Sequence, residues 1–380
     1  MRIAVVHSFY SNSRPSGENS VVGDQVEALS RAGHDVRLFG RYTDVEEGKP
    51  GYTLRAAFAT AGLSGPSPAK ALSEFQPDVV HVHNLFPNWG TDWLKEWGAR
   101  TVATLHNYRT VCASGLLWRD GHDCRECLEF GSARAVQHRC YRDSRLATLP
   151  LAYSTRRAGG RSVILNEASS IVVLNRVAKE LFQGIVAADI SLVPNFVRPA
   201  GGVLTEPRDG WLFVGRLSPE KGIEWLLNNW PSQERLRIAG SGPLEDLVRA
   251  RAALDPHMFE YLGMCSPSEV QELLGSSVGL IVPSLWSEGI PTVALEALQC
   301  GTPLIISNRC AASRELLGGG SGRAFRIEDG SSGLRSVFED IRSDPSYQSR
   351  AREWFSLNFS EPVWRHRIER VYERVVDRSG

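Results

Sequence analysis

Short runs of apolar residues alternate with helical stretches throughout the chain. In the first half, runs rich in β-branched residues cover Arg2 to His7, 34–40, 78–84, 101–107 and 169–175. A helical pattern from about Val21 to Ala32 separates the first two runs, and Gly33 follows it where helices commonly end. Strands that alternate with helices in this way predict βα units on a parallel sheet.

The same pattern starts again after a turn-rich stretch at 192–202, which suits a linker. Further apolar runs cover 211–217, 235–240, 260–265, 278–284 and 302–307. We therefore predict an α/β fold with two Rossmann-like, doubly wound domains, at 1–195 and 200–361. A helix over 362–380 is expected to pack back on the first domain. Two such domains would face each other across a ligand cleft at the carboxyl ends of their strands.

Composition places the chain among ordinary globular proteins. Its 380 residues are 42% hydrophobic, and 43 basic residues balance 43 acidic ones. With no net charge, no global field favours nucleic acid, and we predict no nucleic-acid partner. The chain begins without a signal-peptide pattern and lacks the ~18 uninterrupted apolar residues of a spanning helix. We therefore expect a cytoplasmic protein.

The stretch 214–222, Val-Gly-Arg-Leu-Ser-Pro-Glu-Lys-Gly, carries a candidate anion site. Gly215 allows the backbone to approach a ligand closely. Arg216 and Lys221 place two cations near a predicted strand end and helix start. Such a corner suits a diphosphate, because arginine can donate to two oxygens while lysine adds a point charge. A solvated surface turn with two basic residues is the alternative.

A second candidate site lies in 282–305. Glu288 stands at a predicted strand exit, before a predicted helix whose free amides favour an anion. Glu296 follows after seven intervening residues, about two turns from the helix start. Glu288 could accept hydrogen bonds from sugar hydroxyls, and Glu296 could reach a ribose diol. For Glu296 alone, a surface carboxylate on a capped amphipathic helix is the alternative.

Together these stretches resemble glycosyltransferase family 4 (group 1), a retaining family with the GT-B fold. Segments at 238–247 and 32–36 also match recurrent family segments. The resemblance implies that Arg216 and Lys221 contact the donor diphosphate, Glu288 the donor sugar and Glu296 the ribose. It also implies a donor-binding element at the helix start, formed by Gly289, Ile290, Pro291 and Thr292.

The first half resembles the family more loosely. Many relatives carry a Gly-Gly pair in the first loop, where this chain has Ser-Gly-Glu at 16–18. The resemblance implies that Gly17 brings backbone amides to the donor phosphate. It also places His106 at a position where the family often has a histidine that faces donor sugar and acceptor. His81 and His83 alternate along one strand, so they share a face, and a structural or acceptor-facing role is expected.

The resemblance implies transfer of a hexosyl or N-acetylhexosaminyl group from a UDP- or GDP-sugar to a glycan, lipid-linked or small-molecule acceptor. Positive charge and helix amides would stabilise the departing diphosphate, which accepts the acceptor's proton. The sequence contains no Asp-x-Asp motif, so we predict metal-independent catalysis that requires no cofactor. Two alternatives stay open: a nucleotide-sugar epimerase of the same fold, and a non-catalytic nucleotide-sugar-binding protein. A dinucleotide oxidoreductase is disfavoured, because no Gly-x-Gly-x-x-Gly follows the first strand.

A cysteine-rich insertion is predicted at about 107–145. Its thiols are Cys112, Cys124, Cys127 and Cys140. The central Cys-x2-Cys is a standard chelating step, and the outer cysteines would complete a structural zinc site. Unlinked thiols are an equal alternative, and disulfides rank last in a reducing cytosol.

A basic, partly apolar stretch follows the insertion. Between Arg134 and Arg161, seven arginines accompany one acid, Asp143, with leucines and a tyrosine interleaved. Such a stretch could meet anionic lipid head groups or a lipid-linked phosphate, which would give a peripheral contact at the inner membrane face. A solvated helix is the alternative.

Overall fold

The computed structural model describes residues 1–10, 17–199 and 208–379. The chain forms two compact units. The first comprises Met1–Arg119, Cys124–Pro194 and Trp364–Gly380, and the second comprises Asp120–Asp123 and Asn195–Val363.

Eight strands and ten α-helices lie before residue 195, and an eleventh helix, α18, lies at the end of the chain. The strands are β1 (Arg2–Phe9), β2 (Asp35–Tyr42), β3 (Val79–Asn84), β4 (Thr101–Leu105), β5 (Trp118–Arg119), β6 (His122–Asp123), β7 (Ser170–Val173) and β8 (Asp189–Leu192). The helices are α1 (Gly17–Arg31), α2 (Thr43–Glu47), α3 (Tyr52–Ala61), α4 (Ala69–Phe75), α5 (Leu94–Trp97), α6 (Glu126–Glu129), α7 (Ala133–Gln137), α8 (Arg145–Ser154), α9 (Val163–Glu167), α10 (Arg176–Gln183) and, at the end of the chain, α18 (Glu361–Ser379). These counts cover the described residues.

The second unit contains β6 and the remaining elements. Its other strands are β9 (Trp211–Val214), β10 (Leu236–Ala239), β11 (Phe259–Gly263), β12 (Gly279–Val282), β13 (Leu304–Ser307) and β14 (Gly322–Phe325). Its helices are α11 (Ile223–Asn228), α12 (Glu245–Leu254), α13 (Pro267–Ser276), α14 (Thr292–Gln299), α15 (Ser313–Leu316), α16 (Gly330–Ser343) and α17 (Ser346–Asn358).

Each unit is built on one six-stranded parallel sheet. The strand orders are β2-β1-β3-β4-β7-β8 and β11-β10-β9-β12-β13-β14. The central strands are buried along their length, because helices cover both faces of such a sheet. The prediction of two doubly wound α/β units is confirmed. In each sheet the strand order reverses beside the first strand, between β1 and β3 and between β9 and β12, and ligands bind at such reversals.

Two edge strands and several boundaries differ from the sequence prediction. The sequence patterns did not predict β8 or β14, which are the last strands of the two sheets. Both are four residues long, and β14 exposes its two middle residues, so neither shows the apolar run of a central strand. Helix α1 begins at Gly17 rather than near Val21.

Helix α18 packs against the rest of the first unit through polar contacts at several places along its length. His34 Nε2 lies 3.1 Å from Glu369 Oε1. The Tyr372 hydroxyl lies 2.7 Å from His81 Nδ1, inside the first core. The final helix therefore completes the packing of the first sheet's strands.

Candidate active site

The two donor motifs lie at the strand-order reversal of the second sheet. Strand β9 leads into 215–221, and β12 leads into 283–291. The two strands are parallel neighbours, with Leu212 opposite Leu280. Because the carboxyl ends of parallel strands meet at one edge, the two motif loops come together there.

A backbone contact and a glycine hold these loops against each other. The Leu285 amide donates to the Glu220 carbonyl at 2.9 Å. Gly222 has a φ of 74°, and a Cβ at this position would collide with the Pro283 carbonyl. Glycine therefore satisfies both the left-handed backbone and the close approach of the two loops.

Lys221 and Glu288 form an ion pair at the centre of this site. The other carboxylate oxygen of Glu288 accepts a hydrogen bond from Ser284 Oγ at 2.6 Å. Glu288 is buried, and the Lys221 ammonium also lies 5.9 Å from the centre of the Trp286 ring. The sequence placed the two side chains on different parts of the donor, whereas the structure brings them into direct contact.

Arg216 lies in the same loop with an exposed side chain. Among the described residues, its guanidinium forms neither a hydrogen bond nor an ion pair with Lys221 or Glu288. The neighbouring Gly215 amide is used by the fold, since it donates to the Ala239 carbonyl at 3.1 Å. The structure thus holds Lys221 in place and leaves Arg216 exposed to solvent.

Helix α14 begins at Thr292, directly after Gly289, Ile290 and Pro291. Pro291 has an extended backbone, and no side chain caps the helix. No side chain therefore accepts hydrogen bonds from the amides of the first turn, and such an uncapped helix start favours the binding of an anion. Glu296 is the fifth residue of α14, so it lies about one turn from the helix start. The predicted two turns were wrong, because residues 289–291 precede the helix and only three residues separate Thr292 from Glu296.

Four histidines cluster at the carboxyl ends of β1, β3 and β4 in the first unit. His83 Nδ1 lies 2.9 Å from His106 Nε2. The His81 ring lies 4.1 Å from the His83 ring, and the His7 ring lies 6.2 Å from the His83 ring, measured between centres. His106 therefore belongs to a cluster of imidazoles, in which its ring stacks on that of His83.

Burial keeps these imidazoles neutral. It lowers the pKa of His7 to about 4, with a hydrogen bond to Asn19 opposing it. Burial also lowers the pKa of His81 and of His106 to about 3, and that of His83 well below its usual value. At neutral pH these side chains act as hydrogen-bond donors and acceptors without charge.

Sequence reasoning missed a partly buried carboxyl, that of Glu18, one oxygen of which is shielded from solvent. Burial raises the pKa of Glu18 to about 7, although the charge of Arg109 and a hydrogen bond to Asn84 both lower it. Asn84 Nδ2 also donates to the Tyr10 hydroxyl at 2.9 Å. The sequence feature that could have identified this carboxyl is the glutamate of Ser-Gly-Glu at 16–18. The sequence analysis considered only that this segment lacks the second glycine of the family.

Gly17 is the first residue of α1. Residues 11–16, which precede it, lie outside the described residues. The predicted contact between the first loop and a donor phosphate therefore stays a prediction.

The four cysteines of the insertion are free thiols. Cys112 and Cys127 are buried. Burial raises the pKa of Cys127 to about 12 and that of Cys140 to about 11, with neighbouring thiols adding to both shifts. Across the described parts of the chain, no group of three or more metal-binding side chains is placed to hold a metal ion. The structure gives the zinc site no geometric support, and it stays a prediction.

The basic stretch forms two separate helices rather than one. They are α7 and α8, and Arg157 and Ala158, which follow α8, adopt positive φ. Leu151 is buried, while Leu146 and Leu149 are exposed. In the described portion of the chain, no helix combines the length and the apolar character needed to cross a membrane.

Two family descriptions match most of the chain. "Glycosyltransferase Family 4" matches residues 15–200, and "Glycosyl transferases group 1" matches residues 208–337. The second match contains both donor motifs.

Individual relatives agree with these matches. A glycogen synthase of Mycobacterium tuberculosis is 30% identical over 293 residues, which cover 73% of this chain and 63% of the synthase. This chain thus spans less than two thirds of that relative's length. A sucrose-phosphate synthase from Thermosynechococcus elongatus has the same fold, with a TM-score of 0.65, 17% identity and 98% of each chain covered. Anabaena HepE, solved in complex with UDP-glucose, gives a TM-score of 0.61 at 13% identity and covers 98% of this chain and 100% of its own. The chain belongs to the group 1 glycosyltransferases of family 4 and has the GT-B fold.

Proposed function

We propose that the protein is a retaining, metal-independent transferase of a hexosyl or N-acetylhexosaminyl group from a nucleotide diphosphate sugar. The ion pair between Lys221 and Glu288 at the strand-order reversal carries this proposal. A cation, a carboxylate and the start of α14 converge there, which suits a sugar joined to a diphosphate. The complex of HepE with UDP-glucose supports a nucleotide-sugar donor, and a glycan, lipid-linked or small molecule would be the acceptor.

In this proposal the donor diphosphate leaves under electrostatic stabilisation. The Lys221 ammonium, the Arg216 guanidinium and the α14 amides attract the negative charge that grows on the leaving group. These groups would take the place of a metal ion. Glu296 would accept hydrogen bonds from the ribose.

Glu288 serves to orient the donor sugar rather than to attack it. Its two oxygens are engaged, one by Lys221 and one by Ser284. A carboxylate held in this way is a poor nucleophile, so no glycosyl-enzyme intermediate forms on it. The bond from the anomeric carbon to the phosphate oxygen breaks, and the acceptor oxygen bonds to the same face. The acceptor's proton passes to the departing phosphate.

His106 would contribute hydrogen bonds rather than charge. Burial lowers its pKa to about 3, so it is neutral during catalysis. His83 fixes one ring nitrogen of His106 at 2.9 Å. The imidazole would therefore orient a hydroxyl of the donor sugar or acceptor.

A donor screen with a chelator tests the proposal. Nucleotide release from UDP- and GDP-sugars would be measured with and without EDTA, for the wild type, Lys221→Ala and the control Lys70→Ala. We expect release of one nucleotide from its sugar, no effect of EDTA, and a loss of about 10²–10³ in turnover for Lys221→Ala alone. NMR of the sugar product should show the donor's anomeric configuration.

Three results would contradict the proposal. They are inversion at the anomeric carbon, loss of turnover in EDTA, and full turnover by Lys221→Ala. Conversion of a free nucleotide sugar to its epimer would instead indicate the epimerase.

A further inference from the structure

The first unit contains a cavity of about 580 Å³ whose lining is strongly basic. Its charged lining residues are five cations and one carboxylate: Lys95, Arg109, Arg156, Arg157, Arg161 and Glu167. His83 and His106 also line it, so the cavity reaches the histidine cluster. Such an excess of cations predicts an anionic ligand next to the imidazoles.

Two of these arginines donate to backbone carbonyls and lie against aromatic rings. Arg109 donates to the carbonyls of Ala113 at 3.1 Å and Ser114 at 3.3 Å, and its guanidinium lies 4.4 Å from the centre of the Phe86 ring. Arg156 donates to the Tyr153 carbonyl at 2.5 Å and stacks 3.4 Å above the Tyr153 ring. Carbonyls and rings position a guanidinium without neutralising its charge, so Arg156 is set for an anion. Arg109 also faces the Glu18 carboxyl, whose pKa its charge lowers.

The other cations leave most of their charge available. Arg157 and Arg161 are exposed, and neither forms an ion pair with a carboxylate in the ranges that the structure describes. Lys95 pairs only loosely, at 3.7 Å from Asp92. A ligand with two or more ionised oxygens matches this arrangement, because each arginine can donate to two oxygens.

A second cavity, of about 440 Å³, adjoins the first. The two share Thr60, Phe86 and Leu151 in their linings. Much of the second lining is apolar, with contributions from α3 and α8 that include Ala56, Ala57, Ala147 and Pro150. Its charged lining residues, Glu47 and Arg142, have opposite signs. An apolar chain fits this cavity better than a second charged group.

Helices α3 and α8, which pack against each other, also expose large apolar side chains. The exposed fractions are 65% for Leu54, 42% for Phe58, 79% for Leu146, 49% for Leu149 and 44% for Tyr153. Apolar side chains at this density around a cavity are typical of contact with an apolar ligand or surface.

We propose that the two adjoining cavities bind the acceptor, and that the acceptor is an amphipathic phosphate. Its phosphate lies among Arg109, Arg156, Arg157 and Arg161, and its apolar chain lies between α3 and α8. This inference rests on the proposed transferase function and names its acceptor class. The acceptor hydroxyl would then lie near His106, which lines the basic cavity.

Binding of four probes to the full-length protein, without donor, tests the inference. The probes are dihexanoyl phosphatidic acid, glycerol 3-phosphate, inorganic phosphate and the neutral amphiphile octyl glucoside. We expect dihexanoyl phosphatidic acid to bind at least about tenfold more tightly than either chain-free phosphate. Octyl glucoside should bind more weakly than the phosphatidic acid by a similar factor.

Two variants separate the phosphate site from the chain site. The double variant Arg157→Ala/Arg161→Ala should weaken all three phosphates by about tenfold or more. Ala57→Phe fills the apolar cavity and should weaken only dihexanoyl phosphatidic acid. The control Arg125→Ala changes an exposed arginine that lines neither cavity, and it should leave all affinities unchanged.

The inference is overturned if the neutral amphiphile binds as tightly as the phosphatidic acid, or if the double variant keeps wild-type affinity for all phosphates. Equal affinity for glycerol 3-phosphate and phosphatidic acid would remove the chain site and with it the amphipathic acceptor. These readouts need no donor and no turnover. A failure here therefore leaves the test of Lys221 in the second unit unaffected.

Discussion

Lys221 and Glu288, which lie 67 positions apart in the sequence, form an ion pair where two parallel strands end. Ser284 donates to the remaining oxygen of Glu288, so the carboxylate is satisfied on both sides. A buried charge with its partner removed is costly, since the remaining charge is left without compensation. Each residue of the pair therefore depends on the other for its position and its charge.

Glu288→Gln should lower turnover by about 10²–10³, because the amide keeps the volume but cannot hold the Lys221 ammonium by charge. Steady-state kinetics with the preferred nucleotide sugar would measure the loss. The exposed Glu353→Gln serves as the matched control and should keep wild-type kinetics. The double variant with Lys221→Met should lose much less than the sum of the two single losses, as expected for coupled residues. Additive losses would show that the two side chains act independently.

Gly222→Ala should destabilise the second unit more than Gly263→Ala. Both glycines have a left-handed backbone, with φ of 74° and 71°. A Cβ at Gly222 would collide with the Pro283 carbonyl, whereas nothing lies within 4 Å of a Cβ at Gly263. The control should therefore lose only the ~1–2 kcal/mol of a left-handed alanine. Urea unfolding of the two variants compares these costs, and equal losses would rule out the collision.

Gly222→Ala should also lower turnover, because it separates the loop that carries Lys221 from the loop that carries Glu288. Gly263→Ala should leave turnover unchanged. Kinetics at a temperature where both variants are folded would make this comparison.

Tyr372→Phe should reduce the free energy of unfolding by about 1–3 kcal/mol. Burial raises the pKa of Tyr372, so the hydroxyl keeps its proton, and it forms a hydrogen bond with His81 Nδ1. His81 Nε2 lies 2.7 Å from Thr104 Oγ1, so both ring nitrogens have partners. Without the tyrosine hydroxyl, a buried ring nitrogen loses its partner. Tyr153→Phe, at a half-exposed ring, is the control, and equal unfolding midpoints for the two variants would contradict the prediction.

The first unit should lose stability as the pH falls below the ordinary pKa of histidine. Burial lowers the pKa of His7 to about 4 and that of His81 and His106 to about 3. Between about pH 6.5 and those values, the unfolded chain binds protons that the folded chain does not, so stability is full above this window and falls within it. Each such histidine adds a slope of up to about 1.4 kcal/mol per pH unit.

Urea unfolding at a series of pH values would measure this slope. His7→Gln should flatten it, whereas His257→Gln, at an exposed site, should leave it unchanged. A wild-type slope in the His7 variant would show that this ring is not part of the acid response.

Much of the architecture follows from the sequence because parallel strands are buried on both faces. Such strands read as apolar runs, and the predicted runs at 78–84 and 278–284 correspond to β3 and β12. That both donor motifs lie at one edge of the sheet also follows from the parallel βα pattern, whereas the pairing of β9 with β12 depends on the reversal of strand order. The edge strands β8 and β14 escaped prediction, since a short strand with one open edge needs no apolar run.

The details of the candidate site were less accessible to sequence reasoning. Lys221 and Glu288 each looked like a ligand contact, and only the fold shows that they contact each other. The pKa of Glu18 likewise depends on contacts that the sequence does not reveal: burial raises it, whereas the charge of Arg109 and a hydrogen bond to Asn84 lower it. Such properties depend on contacts between residues that are distant in the sequence. The hydrophobic periodicity of a single segment does not reveal those contacts.

The first unit is discontinuous, since its sheet ends at Leu192 and its last helix, α18, begins only at Glu361. During synthesis, strand β3 therefore leaves the ribosome long before Tyr372 exists to bond His81. A nascent chain that ends at Pro194 holds that imidazole without its tyrosine partner. Completion of the hydrogen bonds around His81 thus waits for the second unit to be translated, so an amino-terminal core without its last helix precedes the finished first unit during synthesis.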